Sequence, residues 1–197
     1  MNVQERVASI LVSEAAAITA VRVTPRFDEA IHALRDCEGK VLTTGMGKAG
    51  HVARKFAATL CSTGTPATFV HPGEAAHGDL GLVDTDDCIV AFSTSGKTRE
   101  VLEMLELGRH LGLKTIIGIT SHPDSELRTL SDTIIDMGII EEPCPFGLTP
   151  SASIAVMLAI GDAIAIALME LRGFSKDDFG LRHHGGYLGR RARLDND

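Results

Sequence analysis

Five short apolar runs recur along the chain, at 40–44 (KVLTT), 68–70 (TFV), 87–93 (DCIVAFS), 114–120 (KTIIGIT) and 132–136. Between them the apolar residues fall at helical spacing. Short strands without inside–outside alternation are buried on both faces. Strands separated by helices lie parallel, so this pattern predicts a parallel sheet covered on both sides. The expected architecture is α/β: a three-layer α/β/α sandwich on a five-stranded parallel sheet, flavodoxin-like in strand order 2-1-3-4-5.

The helical segments read as 2–20, with Val3, Val7, Ile10, Leu11 and Ile18 on one stripe, then 26–37 after Pro25, 51–62, 98–111 and 124–130. Thr149-Pro150-Ser151 reads as a further helix start, with a hydroxyl N-cap and proline in the first turn. That helix is expected to run to about Arg172 and stop at Gly173. The chain reads as a single domain: N-terminal helices over 1–38, an α/β core over 39–173, and a Gly-, His- and Arg-rich tail over 174–197. The tail lacks strong periodicity and must dock somewhere to stay ordered.

Charge and composition exclude several classes. The formal net charge is −7, and no Lys/Arg run is long enough for a nucleic-acid footprint. The N-terminus carries Glu5 and Glu14 and lacks a basic region before an apolar core, so it does not read as a signal peptide. The apolar stretch 154–169 is short of the ~20 residues of a membrane span and carries Asp162 at its centre. It reads as a helix buried between layers or subunits. Cys37, Cys61, Cys88 and Cys144 show no CxxC spacing and are expected as buried free thiols. Together these features point to the cytoplasm, with no membrane and no nucleic-acid partner.

Two loops carry anion chemistry. Gly45-Met46-Gly47-Lys48-Ala49-Gly50 matches GxGxxG after the first strand. A dinucleotide site also wants an acid at the end of the second strand, where this chain has Val70-His71-Pro72. A tight strand-to-helix turn and a small anion site on the helix N-terminus, aided by Lys48, remain open beside it. Ser93-Thr94-Ser95-Gly96-Lys97-Thr98 follows the third strand. Three hydroxyls with a glycine exceed what an N-cap needs and fit a monophosphate cradle. Strands one and three are neighbours in the expected order, so both loops fall at the switch point where such folds bind ligands. Ser62-Thr63-Gly64-Thr65 reads either as a simple helix stop or as a further hydroxyl source. Titratable candidates are Glu100, Glu141, Glu142, His77, His183 and His184. A metal held by His71, His77 and His183 lacks supporting HxxxH or HExxH spacing.

The ordered series GMGKAGH (45–51), STGTPA (62–67), HPGEAAHGDLG (71–81), STSG (93–96), CPFGLTP (144–150), GDA (161–163), RGF (172–174) and LRHHGGYLGR (181–190) resembles the sugar isomerase (SIS) domain of the arabinose-5-phosphate isomerase family. The likeness runs from about residue 5 to the end. It implies interconversion of D-ribulose 5-phosphate and D-arabinose 5-phosphate, feeding the octulosonate sugar of lipopolysaccharide or capsule. It implies a catalytic set of Lys48, Glu100, Glu142 and His183, with His77 lining the site. It also implies a homotetramer in which the C-terminal histidine reaches a neighbouring subunit. Gly47, Ser62, Thr63, Ser93, Thr94, Ser95, Gly96 and Thr98 complete the expected substrate-binding set.

An aldose–ketose shift needs a base to carry a proton through an enediolate and a stabiliser for the oxyanion. Glu142 is the leading base and Glu100 the second. His183 opens the sugar ring or shuttles protons, Lys48 meets negative charge, and no cofactor or metal is required. The chain departs from the family at Lys97, where an acid is usual, at His184, where a proline is usual, and at Tyr187. It is expected to lack the cystathionine-beta-synthase-type pair that usually follows. The Lys97 departure motivates an alternative isomerase for hexulose 6-phosphate or sedoheptulose 7-phosphate. A non-catalytic phosphosugar-sensing module is the remaining alternative.

Overall fold

The apolar runs become the strands of one sheet. The computed structural model describes residues 1–194. The strands are β1 (Val41–Gly45), β2 (Ala67–Phe69), β3 (Cys88–Phe92), β4 (Thr115–Thr120) and β5 (Thr133–Asp136). Their order is β2-β1-β3-β4-β5, and every neighbouring pair is parallel. Val41 faces Cys88, and Cys88 faces Thr115, so the three central strands start in register.

The helices are α1 (Val3–Thr19), α2 (Pro25–Arg35), α3 (Gly47–Ser62), α4 (Pro72–Ala75), α5 (Arg99–His110), α6 (Glu126–Leu130), α7 (Ala152–Leu171), α8 (Lys176–Arg182) and α9 (Gly186–Leu194). A 3-10 turn spans Asp79–Leu82. All five residues of β3 are buried, and alternate side chains enter different layers. Cys88, Val90 and Phe92 join Phe56 of α3 and Val156, Ile160, Ile164 and Leu168 of α7. Ile89 and Ala91 join Val101, Met104 and Leu105 of α5 and Leu127 of α6. Phe56 meets Phe92 edge to face at 5.5 Å, an arrangement that adds about 0.5–1.5 kcal/mol beyond burial. The expected three-layer sandwich and strand order are therefore present.

The α1 stripe stays near the surface: no residue of α1 is buried, and Val3, Val7, Leu11 and Ile18 are exposed. Three local readings differ. The cysteines are free, but only Cys88 is buried; Cys61 is exposed and Cys37 and Cys144 are intermediate. Short side chains on helix ends and loops stay near solvent even in apolar sequence. The segment 174–194 is not irregular. It forms α8 and α9, and α8 opens with a capping box between Ser175 and Asp178. Finally, α7 begins at Ala152, so Pro150 precedes the N-cap Ser151, whose hydroxyl makes no capping bond. The carboxylate of Glu142 takes that place.

The apolar length of α7 matches a membrane span, but its Val156, Met157, Ile160, Ile164 and Leu168 face is core. Asp162, near its middle, pairs with Lys55 of α3. Arg172, which caps the helix, donates to the carbonyls of Leu34 and Arg35, both at 3.0 Å. Those bonds tie the far end of α7 to the end of α2.

Candidate active site

A cavity of about 340 Å3 opens at the C-terminal ends of β1, β3 and β4. Three loops and one helix start build it. Met46, Lys48 and Ala49 come from the turn into α3. Ser93, Thr94, Ser95 and Thr98 come from the loop between β3 and α5. His122 follows β4, and Pro150 and Ile154 belong to the start of α7.

The turn after β1 needs glycine for packing. Gly50 sits against the carbonyl of Gly45, where a Cβ has no room, so α3 starts hard against its strand. That close start carries Lys48 to the cavity rim. In the second loop the Ser93 hydroxyl contacts the Thr98 hydroxyl at 3.1 Å and accepts the Gly96 N–H at 3.0 Å. Ser95 accepts the Lys97 N–H at 3.2 Å. Gly96 has φ +61, and its α carbon faces the Ser125 side chain, so a larger residue is excluded twice over. The loop is braced from behind: Thr94 O accepts the Ser121 N–H at 3.0 Å and the Thr120 hydroxyl at 3.2 Å, and Gly96 O accepts the Leu127 N–H. Thr98 is the N-cap of the 12-residue α5 yet makes no side-chain cap bond, so the first amides of α5 have no side-chain cap, and the Thr98 hydroxyl turns to Ser93 at the cavity instead.

Lys48, Ser93, Thr94, Ser95 and Thr98 are therefore brought together, with Gly47 and Gly96 shaping their loops. Other expected residues lie elsewhere. Glu100 is exposed in the first turn of α5, one turn from the cavity. His77 is exposed just past α4. Ser62 and Thr63 end α3, about 21 Å or more along the helix axis from Lys48 at ~1.5 Å per residue. Their hydroxyls donate to Thr59 O at 2.9 and 2.8 Å, so they serve the helix end.

Glu142 is half-buried and docked on α7: its Oε2 accepts from the N–H groups of Ser151 (2.8 Å) and Ala152 (2.9 Å), and Oε1 from Ser153 (3.3 Å). It thus stands beside the cavity wall made by Pro150 and Ile154. Glu141 instead lines a separate hollow of about 720 Å3 with Arg22 and Asp136.

His183 caps the end of α8. Its ring stacks on Phe179 at 3.8 Å, and Nδ1 lies 2.9 Å from the Phe179 carbonyl. The neighbouring Arg182 lies 5.0 Å above the Phe174 ring, which packs on Gly64 at the end of α3. His183 therefore lies at the end of the domain opposite its own chain's cavity.

Between Glu142 and α7, Cys144 Sγ accepts the N–H groups of Leu148 and Thr149, each at 3.1 Å. Those backbone bonds, Thr149 first, outweigh partial desolvation and bring the thiol down to about 7. Among the described residues, no group of three or more His, Cys, Asp or Glu side chains gathers to hold a metal. β2 ends at Phe69 and is followed by Val70 and His71, so no acid stands at the ribose position of a dinucleotide site.

His122, Pro150 and Ile154 were not anticipated as lining residues. The usable signal for His122 was position: it follows the C-terminal end of the strand beside β3. Lys97, the departure in the Ser93–Thr98 loop, does not line the cavity. It borders another hollow with Arg99, Leu102, Glu103, Glu106 and Glu126.

A model of the SIS domain family matches residues 33–167. The chain is 47% identical over 173 residues to arabinose 5-phosphate isomerase KdsD of Pseudomonas aeruginosa, covering 88% of this chain and 53% of that protein. It is 47% identical over 158 residues to KdsD of Escherichia coli K12, covering 80% and 48%. The chain thus spans about half the length of the curated relatives it matches. Among solved structures, Escherichia coli CFT073 c3406 in complex with arabinose 5-phosphate is similar at TM-score 0.88 and 40% identity, covering 92% of this chain and 97% of that one.

Proposed function

The chain belongs to the SIS domain family, and on that premise we propose that it is an aldose–ketose isomerase interconverting D-ribulose 5-phosphate and D-arabinose 5-phosphate. The observation that carries this reading is one cavity in which Lys48 stands beside the hydroxyls of Ser93, Ser95 and Thr98. Relatives at 47% identity bear the name of that isomerase, and a 40% identical structure holds arabinose 5-phosphate.

The phosphate sits in the Ser93–Thr98 loop, whose hydroxyls and α5 amides hold it and fix the reacting carbons. Glu142 moves the proton between adjacent carbons of the enediolate. Lys48 stabilises the developing oxyanion. Glu100 assists from the first turn of α5. The chemistry is proton transfer, so no organic cofactor takes part.

His183 acts in a neighbouring subunit's cavity, where it opens the sugar ring. Its place at the end of the domain opposite its own cavity supports this arrangement. So do the exposed Val3, Val7, Leu11 and Val12 of α1 and Leu158 and Ile166 of α7, which form apolar surface suited to subunit contact in a homotetramer. The enzyme works in the cytoplasm and supplies the octulosonate branch of lipopolysaccharide or capsule synthesis. Because Lys97 borders a different hollow, it gives no reason to prefer a hexulose or heptulose substrate.

The test is turnover of D-ribulose 5-phosphate by the purified chain, with the aldose read by a coupled assay. Formation of D-arabinose 5-phosphate supports the proposal. Turnover of hexulose 6-phosphate or sedoheptulose 7-phosphate instead overturns the substrate, and phosphosugar binding without any turnover overturns the enzyme.

A further inference from the structure

We propose that His122 is a phosphate-binding residue: its imidazole donates to the substrate's phosphate from the side of the cavity opposite Lys48. The inference deepens the isomerase reading and rests on it for the identity of the substrate.

The strand order sets the geometry. Lys48 follows β1, the hydroxyl loop follows β3 and His122 follows β4, and these strands are consecutive in the sheet. The phosphate loop is therefore flanked by a cation on one side and an imidazole on the other, all lining one cavity. His122 is also held in place. The Ser121 N–H and the Thr120 hydroxyl both bond Thr94 O inside the loop, and Ser121 Oγ bonds the Gly138 carbonyl. Pro123 restricts the His122 backbone to extended conformations. The His122 carbonyl accepts from Arg128 Nε at 2.8 Å, and Arg128 is itself paired with Asp136. The backbone is thus fixed, while the ring is exposed and makes no hydrogen bond or ion pair among the described residues.

A phosphate monoester carries roughly −1.5 to −2 near neutrality, with three acceptor oxygens. The lining holds one permanent cation, Lys48, and the reaction needs that charge at the oxyanion. The loop's own lysine, Lys97, borders a separate hollow with Arg99 and three glutamates. His122 is the other lining side chain able to carry positive charge, and in either protonation state its ring has an N–H to donate.

The experiment compares the parent with His122→Gln and His122→Arg. It reads kcat and KM for D-arabinose 5-phosphate and, by calorimetry, the Kd of inorganic phosphate. Loss of a charge-assisted bond should raise both KM and phosphate Kd about tenfold in His122→Gln, with kcat within about twofold. His122→Arg should restore both to within about threefold of the parent, because a guanidinium donates to phosphate with permanent charge. Unchanged KM and phosphate Kd in His122→Gln, a loss confined to kcat, or a parent that binds no phosphate overturns the assignment. If the parent binds phosphate but turns over no pentose phosphate, the isomerase reading fails. The phosphate Kd of the two variants then still decides the role of His122. His122 is exposed, and a circular dichroism melt matching the parent confirms that the variants are folded.

Discussion

Glu142 reaches across the Cys144–Pro150 loop to close on Ala152, accepting its N–H at 2.9 Å while holding Ser151 and Ser153 by the same carboxylate. One side chain therefore anchors the start of α7 and places an acid beside the cavity. The cap hydroxyl expected from the Thr149-Pro150-Ser151 sequence is replaced by a carboxylate from outside the helix, which also complements the positive helix end.

The proposed base role of Glu142 and its cap on α7 separate by substitution. Glu142→Gln keeps an oxygen acceptor for the α7 amides but cannot take a proton. It should lose about a hundredfold or more in kcat while the melting temperature shifts little. Glu142→Ala should lose the same activity and, in addition, about 1 kcal/mol of stability, as an N-cap deletion does. Coupled kinetics and urea unfolding check both. A Gln variant that retains parental kcat removes Glu142 from proton transfer.

Cys144 gives a second test of the same loop. With the thiol brought down to about 7 by the N–H groups of Thr149 and Leu148, half of it is thiolate near neutral pH. Alkylation by iodoacetamide, followed residue by residue by mass spectrometry, should show a half-maximal rate at about pH 7 for Cys144. Thr149→Pro deletes one donor and should move that midpoint upward. An unchanged midpoint in the variant means that the backbone bonds do not set the thiol.

The sheet and its switch point are legible in the sequence because burial on both faces writes itself into a strand as an unbroken apolar run. The run CIVAF of β3 is a direct imprint of two covered faces. The hydroxyl loop that lines the cavity is legible because its residues are contiguous in sequence. What cannot be read there is what contacts join at long range. The Glu142 cap reaches nine residues on to Ser151. The place of His122 depends on β4 lying beside β3. The α1 stripe is legible, but what it faces is not: Val3, Val7, Leu11 and Ile18 are exposed on the single chain. The tail looks irregular because of its glycines: Gly186 opens α9 and Gly189 packs on the His183 backbone, so they permit a tight α8–α9 corner.

At the opposite end of the sheet, Asp87 should make the fold acid-sensitive. Burial pushes its carboxyl up, but hydrogen bonds from the Lys40 ammonium (2.7 Å), the Lys40 N–H (2.8 Å) and the Asp84 N–H (2.9 Å) outweigh it, leaving it below the usual carboxylate range. A carboxyl lowered in the folded state adds stability above its unfolded value of about 3.9, and that stability is lost as pH falls through the folded value. Asp87→Asn should therefore cost roughly 1–3 kcal/mol at pH 7 and progressively less below about pH 4. Urea unfolding of both proteins at about pH 7 and about pH 3 measures the difference. A pH-independent gap would show that packing alone carries the effect.

α7 is 20 residues long, so about 30 Å separates the cavity wall at its start from the point where the tail begins. Lys48 and His183 lie at opposite ends of the same chain, and a site using both must take them from two subunits. Lys48→Ala and His183→Ala should each be nearly inactive alone. In hybrids formed by unfolding and refolding an equal mixture, a site works when a His183→Ala chain supplies Lys48 and a Lys48→Ala neighbour supplies His183. Random assembly into a symmetric oligomer then restores about a quarter of parental activity. Simple mixing without subunit exchange should restore none. Hybrids that stay inactive, or a single chain that is fully active at dilutions where size-exclusion chromatography shows only monomer, exclude the shared site.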